Sequence, residues 1–361
     1  MININGIEPK VLAWDRASTH SITQSFLNLK NGDVPIVRIG IKAGWGVGMK
    51  NNAKAFIRYV VLSSKWLIMN RKSYDCIHAC DLHTILPALI PWVIFRKKLV
   101  YDVFDYFADT AHGSATVRKL GRVFETWVIN HADAVIICSE QRRQQISPAN
   151  PQRLFVIENS PAQSQFSEID HENFPSDSHP RKTRMVYVGN LVEDRCISLM
   201  LDTVELIPNL ELHIGGIGAL STMVAERARN SKNIFWYGKM SYQDVLRLEA
   251  SCDLMIALYD PAIPNHRYAA PNKFYEALAL GKPIIMFRNT GVDKIIADHD
   301  LGAVVEKSQS SLLNGINELI MNRDAWNAMG RRGRTLYKNA FSWEIMEERL
   351  TALYEQIAIK E

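Results

Sequence analysis

The stretch APNKFYEALALGKP, residues 270–283, decides the fold of this chain. It reads as a short amphipathic helix. Pro271 suits the first helical turn, where a missing N–H costs nothing, and Gly281 suits the left-handed position just after the helix end. Apolar runs of the buried-strand type flank the helix at residues 254–258 and 284–287. The stretch therefore predicts a strand–loop–helix–strand unit of an α/β sheet.

Two charged residues give this helix a chemical character. Lys273 and Glu276 are three positions apart, so they share one helix face. The start of a helix directs free N–H groups and a positive dipole end at whatever binds above the sheet. A cation for phosphate and a carboxylate for sugar hydroxyls are what a nucleotide diphospho-sugar requires. An ordinary surface helix with an i,i+3 ion pair explains the same two residues equally well.

The pattern Pro-x-Lys-x-x-Glu-x-x-Ala-x-Gly-x-Pro in this stretch resembles the donor-site motif of the GT-B glycosyltransferases of family 4, a large retaining group. The family usually carries another Glu eight residues before the position of Glu276, and here that position is Tyr268. The resemblance implies an α/β fold of the GT-B type, in which two Rossmann-like domains with parallel sheets face a central cleft. It also implies that Glu276 binds the ribose of the donor.

The resemblance continues through residues 185–240. MVYVGNLVEDR, residues 185–195, resembles the phosphate clamp Gly-Arg-x5-Lys, with Asn190 in place of the Arg and Arg195 near the Lys. The glycine-rich turn LHIGGIG, residues 212–218, fits nucleotide approach and a bare tight turn equally well. NIFWYGKM, residues 233–240, resembles the strand and loop that hold the base. The implied donor-binding residues are Gly189, Asn190, Arg195, Gly216, Tyr237, Gly238, Tyr268, Asn272, Lys273 and Glu276.

The first half alternates short apolar runs with helical stretches, the signature of a mostly parallel sheet. The predicted strands are residues 10–14, 34–39, 75–79, 98–103, 134–138 and 154–157. Residues 52–69 and 114–131 have the helical spacing of apolar residues. Residues 5–16 resemble the second strand of a family 4 enzyme with the end of the helix before it, so we expect the first strand–helix unit to be missing.

The segment VYDVFDYFAD, residues 100–109, ends a predicted strand in acidic residues. Ligands of open α/β sheets bind at the carboxyl ends of the strands, and a carboxylate there can accept the proton of an attacking hydroxyl. Asp105 is our candidate for acceptor activation, with Asp102 and Asp109 as rivals. For each of these three carboxylates, a role as a helix cap or as a salt-bridge partner is nearly as good an explanation as acceptor activation. The family often carries a His at the position of Phe104.

The chain of 361 residues has room for two domains of ordinary size. The segment before residue 184 is polar and lacks an apolar pattern, which is typical of a linker. The predicted organisation is an N-terminal acceptor-side Rossmann-like domain, incomplete at its start, at residues 1–166; a linker at 167–183; a C-terminal nucleotide-sugar-binding Rossmann-like domain at 184–340; and a helix that crosses back to the first domain at 341–361.

The net charge of +4 is unevenly distributed, with +8 on residues 1–166 and −4 on residues 167–361. Residues 54–72 and 92–98 mix basic and aromatic side chains. Such clusters fit an anionic membrane surface, or a core helix with a solvated basic face. The first cluster consists of Lys54, Phe56, Arg58, Tyr59, Lys65, Trp66, Ile68, Arg71 and Lys72. No nucleic-acid-binding motif accompanies it, so we expect no nucleic acid partner.

Two further features bear on metal and location. The triplet at residues 298–300, Asp-His-Asp, resembles the Asp-x-Asp metal motif of the other glycosyltransferase fold, but it follows a helix rather than a strand. We therefore expect a loop there, and neither a metal site nor a cofactor. Five cysteines without a Cys-x-x-Cys pair favour reduced thiols. The expected location is cytoplasmic, peripheral at the inner face of a membrane.

These features predict a glycosyltransferase that moves a sugar from a nucleotide diphospho-sugar, preferably a UDP-sugar, to a glycan or lipid-linked acceptor in bacterial surface polysaccharide synthesis. The reaction would retain configuration and need no metal. Asp105 and Glu276 are the predicted catalytic residues. The alternative is a catalytically weak nucleotide-sugar-binding protein that supports a partner glycosyltransferase. An epimerase or hydrolase of the same fold is a third interpretation.

Overall fold

The computed structural model of the chain describes residues 6–19, 22–29, 32–44, 48–110, 114–167 and 182–358. Two compact units divide the chain. The first contains Met1–Ile137, Ile146–Val156 and Glu348–Glu361, and the second contains Cys138–Gln145 and Ile157–Glu347. Apart from its ends, the linker predicted at residues 167–183 lies outside the described residues.

Strands and helices alternate over most of the chain up to residue 167, although its first three elements are all strands. The strands are β1 Val11–Asp15, β2 Thr23–Leu29, β3 Gly32–Gly40, β4 Cys76–Cys80, β5 Lys98–Val103, β6 Ala134–Ile137 and β7 Leu154–Val156. The helices are α1 Gly48–Met69, α2 Leu82–Val93, α3 Phe107–Thr110, α4 Ala115–His131, α5 Arg142–Gln145 and α6 Ser164–Ser167.

The first unit holds two sheets. Strands β4, β5, β6 and β7 form a parallel sheet in that order, and the fully buried side chains of Ile85, Tyr101 and Ile137 belong to its core. In the second sheet β3 lies between β1, which is parallel to it, and β2, which is antiparallel. The predicted strands are all present. Strand β2 was missed because nearly all its residues are exposed, so it has no apolar face to detect.

The second part of the chain continues the alternation. Its strands are β8 Thr183–Val188, β9 Leu210–Gly215, β10 Ile234–Trp236, β11 Leu254–Ala257, β12 Ile284–Phe287 and β13 Gly302–Val305. Its helices are α7 Ile197–Val204, α8 Ser221–Asn230, α9 Tyr242–Ser251, α10 Asn272–Leu280, α11 Asp293–Asp298, α12 Gln309–Met321, α13 Trp326–Leu336 and α14 Trp343–Ala358.

The second unit is built on one parallel sheet with the strand order β10-β9-β8-β11-β12-β13. Strand β11 is buried on both faces, since Leu254 and Ile256 belong to one apolar cluster and Met255 and Ala257 to another. The strand order reverses between β8 and β11. Ligands of open α/β sheets bind at such a switch point, beyond the carboxyl ends of the strands.

Two further observations concern membrane-spanning helices and disulfide bonds. None of the helices in the described ranges has the length and apolar composition needed to cross a bilayer. None of the five cysteines, all of which lie within the described residues, forms a disulfide bond.

Candidate active site

Helix α10 begins directly at the switch point of the second unit. Pro271 precedes it in an extended conformation, one position before the first helical turn in which it was predicted. Gly281 ends it with φ 66°, as the sequence predicts. Six of its nine residues are buried. The interpretation of this stretch as an ordinary surface helix is therefore wrong. The helix packs into the core and holds its first turn near the carboxyl end of the sheet.

Three glycine-containing loops follow the adjacent strands β8, β9 and β10. The Gly189 N–H donates to the Gly215 carbonyl at 3.1 Å, and the Gly216 N–H donates to the Gly238 carbonyl at 2.7 Å. Gly216 has φ +118°, and a Cβ added there would lie 1.8 Å from the Gly189 carbonyl oxygen. The three loops therefore meet backbone to backbone at the carboxyl edge of the sheet.

The Lys273 ammonium lies over the first of these loops. A Cβ added to Gly189 would be 2.8 Å from Lys273 Nζ. The same Nζ is 4.9 Å from the centre of the Tyr187 ring. The Tyr187 hydroxyl in turn donates to the Asn190 carbonyl at 2.8 Å, while the Asn190 side chain is exposed. The switch point therefore combines a cation, a bare glycine backbone and an aromatic support.

Glu276 lies behind this cation and is almost fully buried. The Tyr242 hydroxyl donates to Glu276 Oε1 at 3.0 Å. Burial raises the pKa of Glu276, and the charge of Lys273 and the Tyr242 hydrogen bond act in the opposite direction. Glu249 is buried nearby, and neither of its carboxylate oxygens has a hydrogen-bond partner among the described residues. Burial and the charge of Glu276 raise the pKa of Glu249 well above its usual value.

Arg195 is fixed by the residues around it. Its Nη1 donates to His266 Nε2 at 2.9 Å, and its guanidinium lies 4.2 Å from the centre of the Tyr259 ring. His266 Nδ1 donates to the Asp260 carbonyl at 3.0 Å. Burial and the Arg195 charge lower the pKa of His266, which favours the neutral imidazole that this pairing needs. The guanidinium is therefore held in one orientation before any ligand arrives.

The remaining predicted donor residues lie at the edges of this region. The Tyr237 hydroxyl is 2.7 Å from Nδ1 of His213, and the two rings stack. Tyr268 is half-buried and ends the 3₁₀ segment Pro264–Tyr268, just before the helix. Asn272 is exposed at the first position of α10.

The acidic segment at the end of β5 belongs to the first unit. Asp102 Oδ2 is 3.1 Å from His78 Nε2, and Asp109 Oδ1 is 3.6 Å from Arg122 Nη2. Both rivals are therefore paired with basic side chains, as the salt-bridge explanation expects. Asp105 is exposed beyond the strand end. Its backbone N–H donates to Asp81 Oδ1 at 3.0 Å.

Three polar residues near these two regions were not predicted from the sequence: Tyr242, Glu249 and Asp81. Tyr242 and Glu249 lie on α9, which is separated by a strand from the helix that carries Glu276. Their positions carry no motif, and only the packing of α9 beside α10 brings them together. Asp81 directly follows an apolar strand, as Asp105 nearly does, and that shared placement was a usable signal.

Comparison with known families explains this arrangement. The profile described as Glycosyl transferases group 1 matches residues 168–336, and the profile described as Glycosyl transferase 4-like domain matches residues 5–160. The chain belongs to this glycosyltransferase family. The predicted family is thereby confirmed. The two matches together cover most of the chain.

Curated relatives are distant. The capsular polysaccharide biosynthesis glycosyltransferase CapM of Staphylococcus aureus is 25% identical over 209 residues, which is 55% of this chain and 50% of the relative. A GDP-mannose-dependent monoacylated alpha-(1-6)-phosphatidylinositol monomannoside mannosyltransferase of Corynebacterium glutamicum is 28% identical over 172 residues, 45% of this chain and 43% of the relative. The match thus spans about half the length of these relatives.

Solved structures agree with the fold over nearly the whole chain. Sucrose-phosphate synthase from Thermosynechococcus elongatus has a TM-score of 0.68 at 17% identity, covering 96% of this chain and 88% of that one. HepE of Anabaena, in complex with UDP and glucose, has a TM-score of 0.69 at 15% identity, and the match covers 89% of this chain and 86% of that one. At these identities the likeness shows the GT-B fold alone.

Proposed function

We propose that this chain transfers a sugar from a nucleotide diphospho-sugar, preferably a UDP-sugar, to a glycan or lipid-linked acceptor in bacterial surface polysaccharide synthesis. The reaction retains configuration and uses no metal. The observation that carries the proposal is the Lys273 ammonium over the bare backbone of Gly189, with Glu276 buried behind it. Support comes from the relatives, one named for capsular polysaccharide biosynthesis and one solved with UDP and glucose.

Each group has a role in the proposed reaction. Lys273 and Arg195 offset the charge of the leaving diphosphate, Glu276 binds the ribose hydroxyls, and the loop at Gly238 holds the base. The acceptor oxygen bonds to the anomeric carbon, and the bond from that carbon to the diphosphate oxygen breaks. Asp105 accepts the proton of the acceptor hydroxyl.

Calorimetry with UDP, GDP, dTDP and CMP tests the donor site. We expect one nucleotide to bind with a micromolar dissociation constant, and binding to weaken by roughly tenfold or more in Lys273→Ala and in Glu276→Ala, because each removes a charged contact. Lys294→Ala, which removes an exposed lysine of α11, is the matched control and keeps full affinity. No heat from any of the four nucleotides contradicts the proposed donor site.

A second candidate is a catalytically weak nucleotide-sugar-binding protein that supports a partner glycosyltransferase. It is favoured by Tyr268 and Asn190, which stand where the family usually has a Glu and an Arg. Asn190 is exposed and offers the site no charge. Sugar transfer by the purified chain alone removes this candidate, and product analysis without acceptor separates a transferase from an epimerase or hydrolase.

We also propose that the chain meets a lipid-linked acceptor at an anionic membrane, and that helix α4, next to the predicted cluster at residues 92–98, takes part in this contact. On α1, Tyr59 is buried and stacks on Trp14 at 4.9 Å, so part of the predicted aromatic cluster faces the core. Helix α1 still exposes Ile57, Val61 and Met69. Helix α4 also exposes apolar side chains, next to Trp92 of α2, whose ring is 5.2 Å from that of Trp127. The α4 surface consists of Val117, Leu120, Val123 and Trp127 with the basic Arg118, Lys119 and Arg122.

Charge complementarity points to an anionic bilayer as the occupant of the α4 surface. Its apolar residues recur at helical spacing, and three basic residues flank them, which is the pattern of a helix that lies in a membrane interface. Flotation with vesicles of phosphatidylcholine and phosphatidylglycerol is the direct test. Co-flotation at low salt supports the proposal, and its absence there contradicts it.

A further inference from the structure

Asp81 directly follows β4 and has an unusual backbone conformation. Its φ is 64° and its ψ is 162°, a region that is essentially restricted to glycine and costs a side-chain-bearing residue on the order of 1–3 kcal/mol. The surrounding main chain holds it there. Its N–H donates to the Asp102 carbonyl at 2.9 Å, and its own carbonyl accepts from the Thr84 N–H at 3.1 Å. A strained residue that is held so firmly at the end of a strand points to function.

The Asp81 side chain binds the turn after the neighbouring strand β5. One carboxylate oxygen, Oδ1, accepts from the N–H of Phe104 and from the N–H of Asp105, both at 3.0 Å. Asp81 also precedes helix α2, but its side chain makes no capping hydrogen bond to that helix. The contacts of this carboxylate are therefore directed at the turn that carries Asp105.

The electrostatic surroundings of Asp81 are acidic. The pKa of Asp81 is raised to about 6, mainly by burial and also by the charges of Asp105 and Asp102, while the two backbone N–H groups act in the opposite direction. The other titratable groups that interact with it are Cys80, Tyr101 and Glu125. Above pH 6 the carboxylate is charged and is the stronger acceptor for the two N–H groups.

We propose that Asp81 is a positioning residue of the acceptor site, which fixes the Asp105 turn in the orientation needed for proton transfer. The proposal rests on the role of Asp105 in the proposed function. The strained backbone places the carboxylate where it reaches two successive N–H groups of the next strand end. A glycine at position 81 would adopt this backbone without strain, but it would leave both N–H groups without this acceptor.

Two substitutions separate positioning from folding. Asp81→Gly relieves the backbone strain and removes the acceptor. We therefore expect near wild-type thermal stability, a kcat lower by roughly 10- to 100-fold, and unchanged nucleotide affinity. Asp81→Asn keeps an acceptor oxygen in the same place and should restore most of kcat at pH 8.

Amide hydrogen exchange at Phe104 and Asp105 tests this inference separately from the proposed function. Slow exchange in the wild type and fast exchange in Asp81→Gly support the positioning role even if no acceptor is turned over. Equal exchange in the two proteins, or wild-type kcat in Asp81→Gly, overturns it. Slow wild-type exchange without any sugar transfer overturns the proposed function alone.

Discussion

Gly216 shows how strongly one residue can constrain the proposed donor site. An added Cβ at this position meets the Gly189 carbonyl oxygen at 1.8 Å, and φ is +118°. At Gly238, with φ +64°, an added Cβ meets nothing within 4 Å. We expect Gly216→Ala to lower the free energy of unfolding by about 3 kcal/mol or more, and Gly238→Ala by only about 1 kcal/mol. Urea denaturation measures both, and equal losses would contradict this account.

Glu249 gives a second prediction, about pH. Its pKa is raised in the folded protein above the ordinary 4.5, so the unfolded chain releases this proton first as the pH rises. The folded state is therefore penalised above pH 4.5, and the penalty is complete once the pH exceeds the raised pKa. Glu249→Gln cannot ionise, so we expect a melting temperature higher by roughly 2 °C or more at pH 8.

The control for this prediction is the same variant measured at low pH. At pH 4, where the carboxyl group is neutral in both states, Glu249→Gln and the wild type should melt at similar temperatures. A variant that is less stable than the wild type at pH 8 would show that the Glu249 carboxylate is stabilising, and would contradict the interpretation of its burial.

At the level of a single element, helix α14 is connected to a sheet through one of its side chains. The Tyr354 hydroxyl of this helix is 2.7 Å from His78 Nδ1, and His78 Nε2 is bonded to Asp102. His78, Cys80 and Asp102 are the one group of three potential metal ligands within reach of one another in the described part of the chain. Both imidazole nitrogens are already hydrogen-bonded there, which indicates that the group attaches the helix to strands β4 and β5.

Removing the Tyr354 hydroxyl tests this attachment. We expect Tyr354→Phe to lower the free energy of unfolding by about 1 kcal/mol and to speed amide exchange in the last turns of α14. Glu355→Gln, at the next and exposed position, should change neither quantity. Unchanged exchange in Tyr354→Phe would show that apolar packing alone holds the helix.

Element prediction succeeded where the signals are local. Helix α10 was predicted from Pro271 and Gly281, because caps depend on the backbone conformation of single residues. Strand β2 was missed because its neighbour β3 supplies its hydrogen bonds, and its exposed side chains show no pattern. Its existence depends on pairing, which the local sequence does not report.

Charge distribution gives a prediction for the whole molecule. The first 166 residues carry a net +8 and the rest a net −4, so one half is expected to dominate binding to an anionic vesicle. Each basic side chain near such a surface contributes about 1 kcal/mol. We expect the double variant Lys119→Glu, Arg122→Glu to bind vesicles at least about tenfold more weakly. The matched control, Lys294→Glu with Arg331→Glu, changes the net charge equally in the second half and should bind as the wild type does.

The comparison of these two variants is decisive for the α4 surface. Equal losses of vesicle affinity in the two double variants would mean that only the total charge matters, and the proposed surface would be wrong. A loss confined to the α4 variant, and reduced by salt as the Debye length falls, is the expected result.

The sequence by itself determined most of the strands, the limits of α10, and the family to which the chain belongs, because hydrophobic period, caps and motif spacing are local properties. Only the tertiary structure decided which polar groups meet. The contact of Tyr242 with Glu276 joins residues 34 positions apart, and that of Asp81 with the Asp105 turn joins residues 24 apart. The inward packing of Tyr59 on Trp14 was decided in the same way. Such contacts depend on how strands and helices pack, because a hydrogen bond or a buried ring is set by position in space and not by neighbours in the chain.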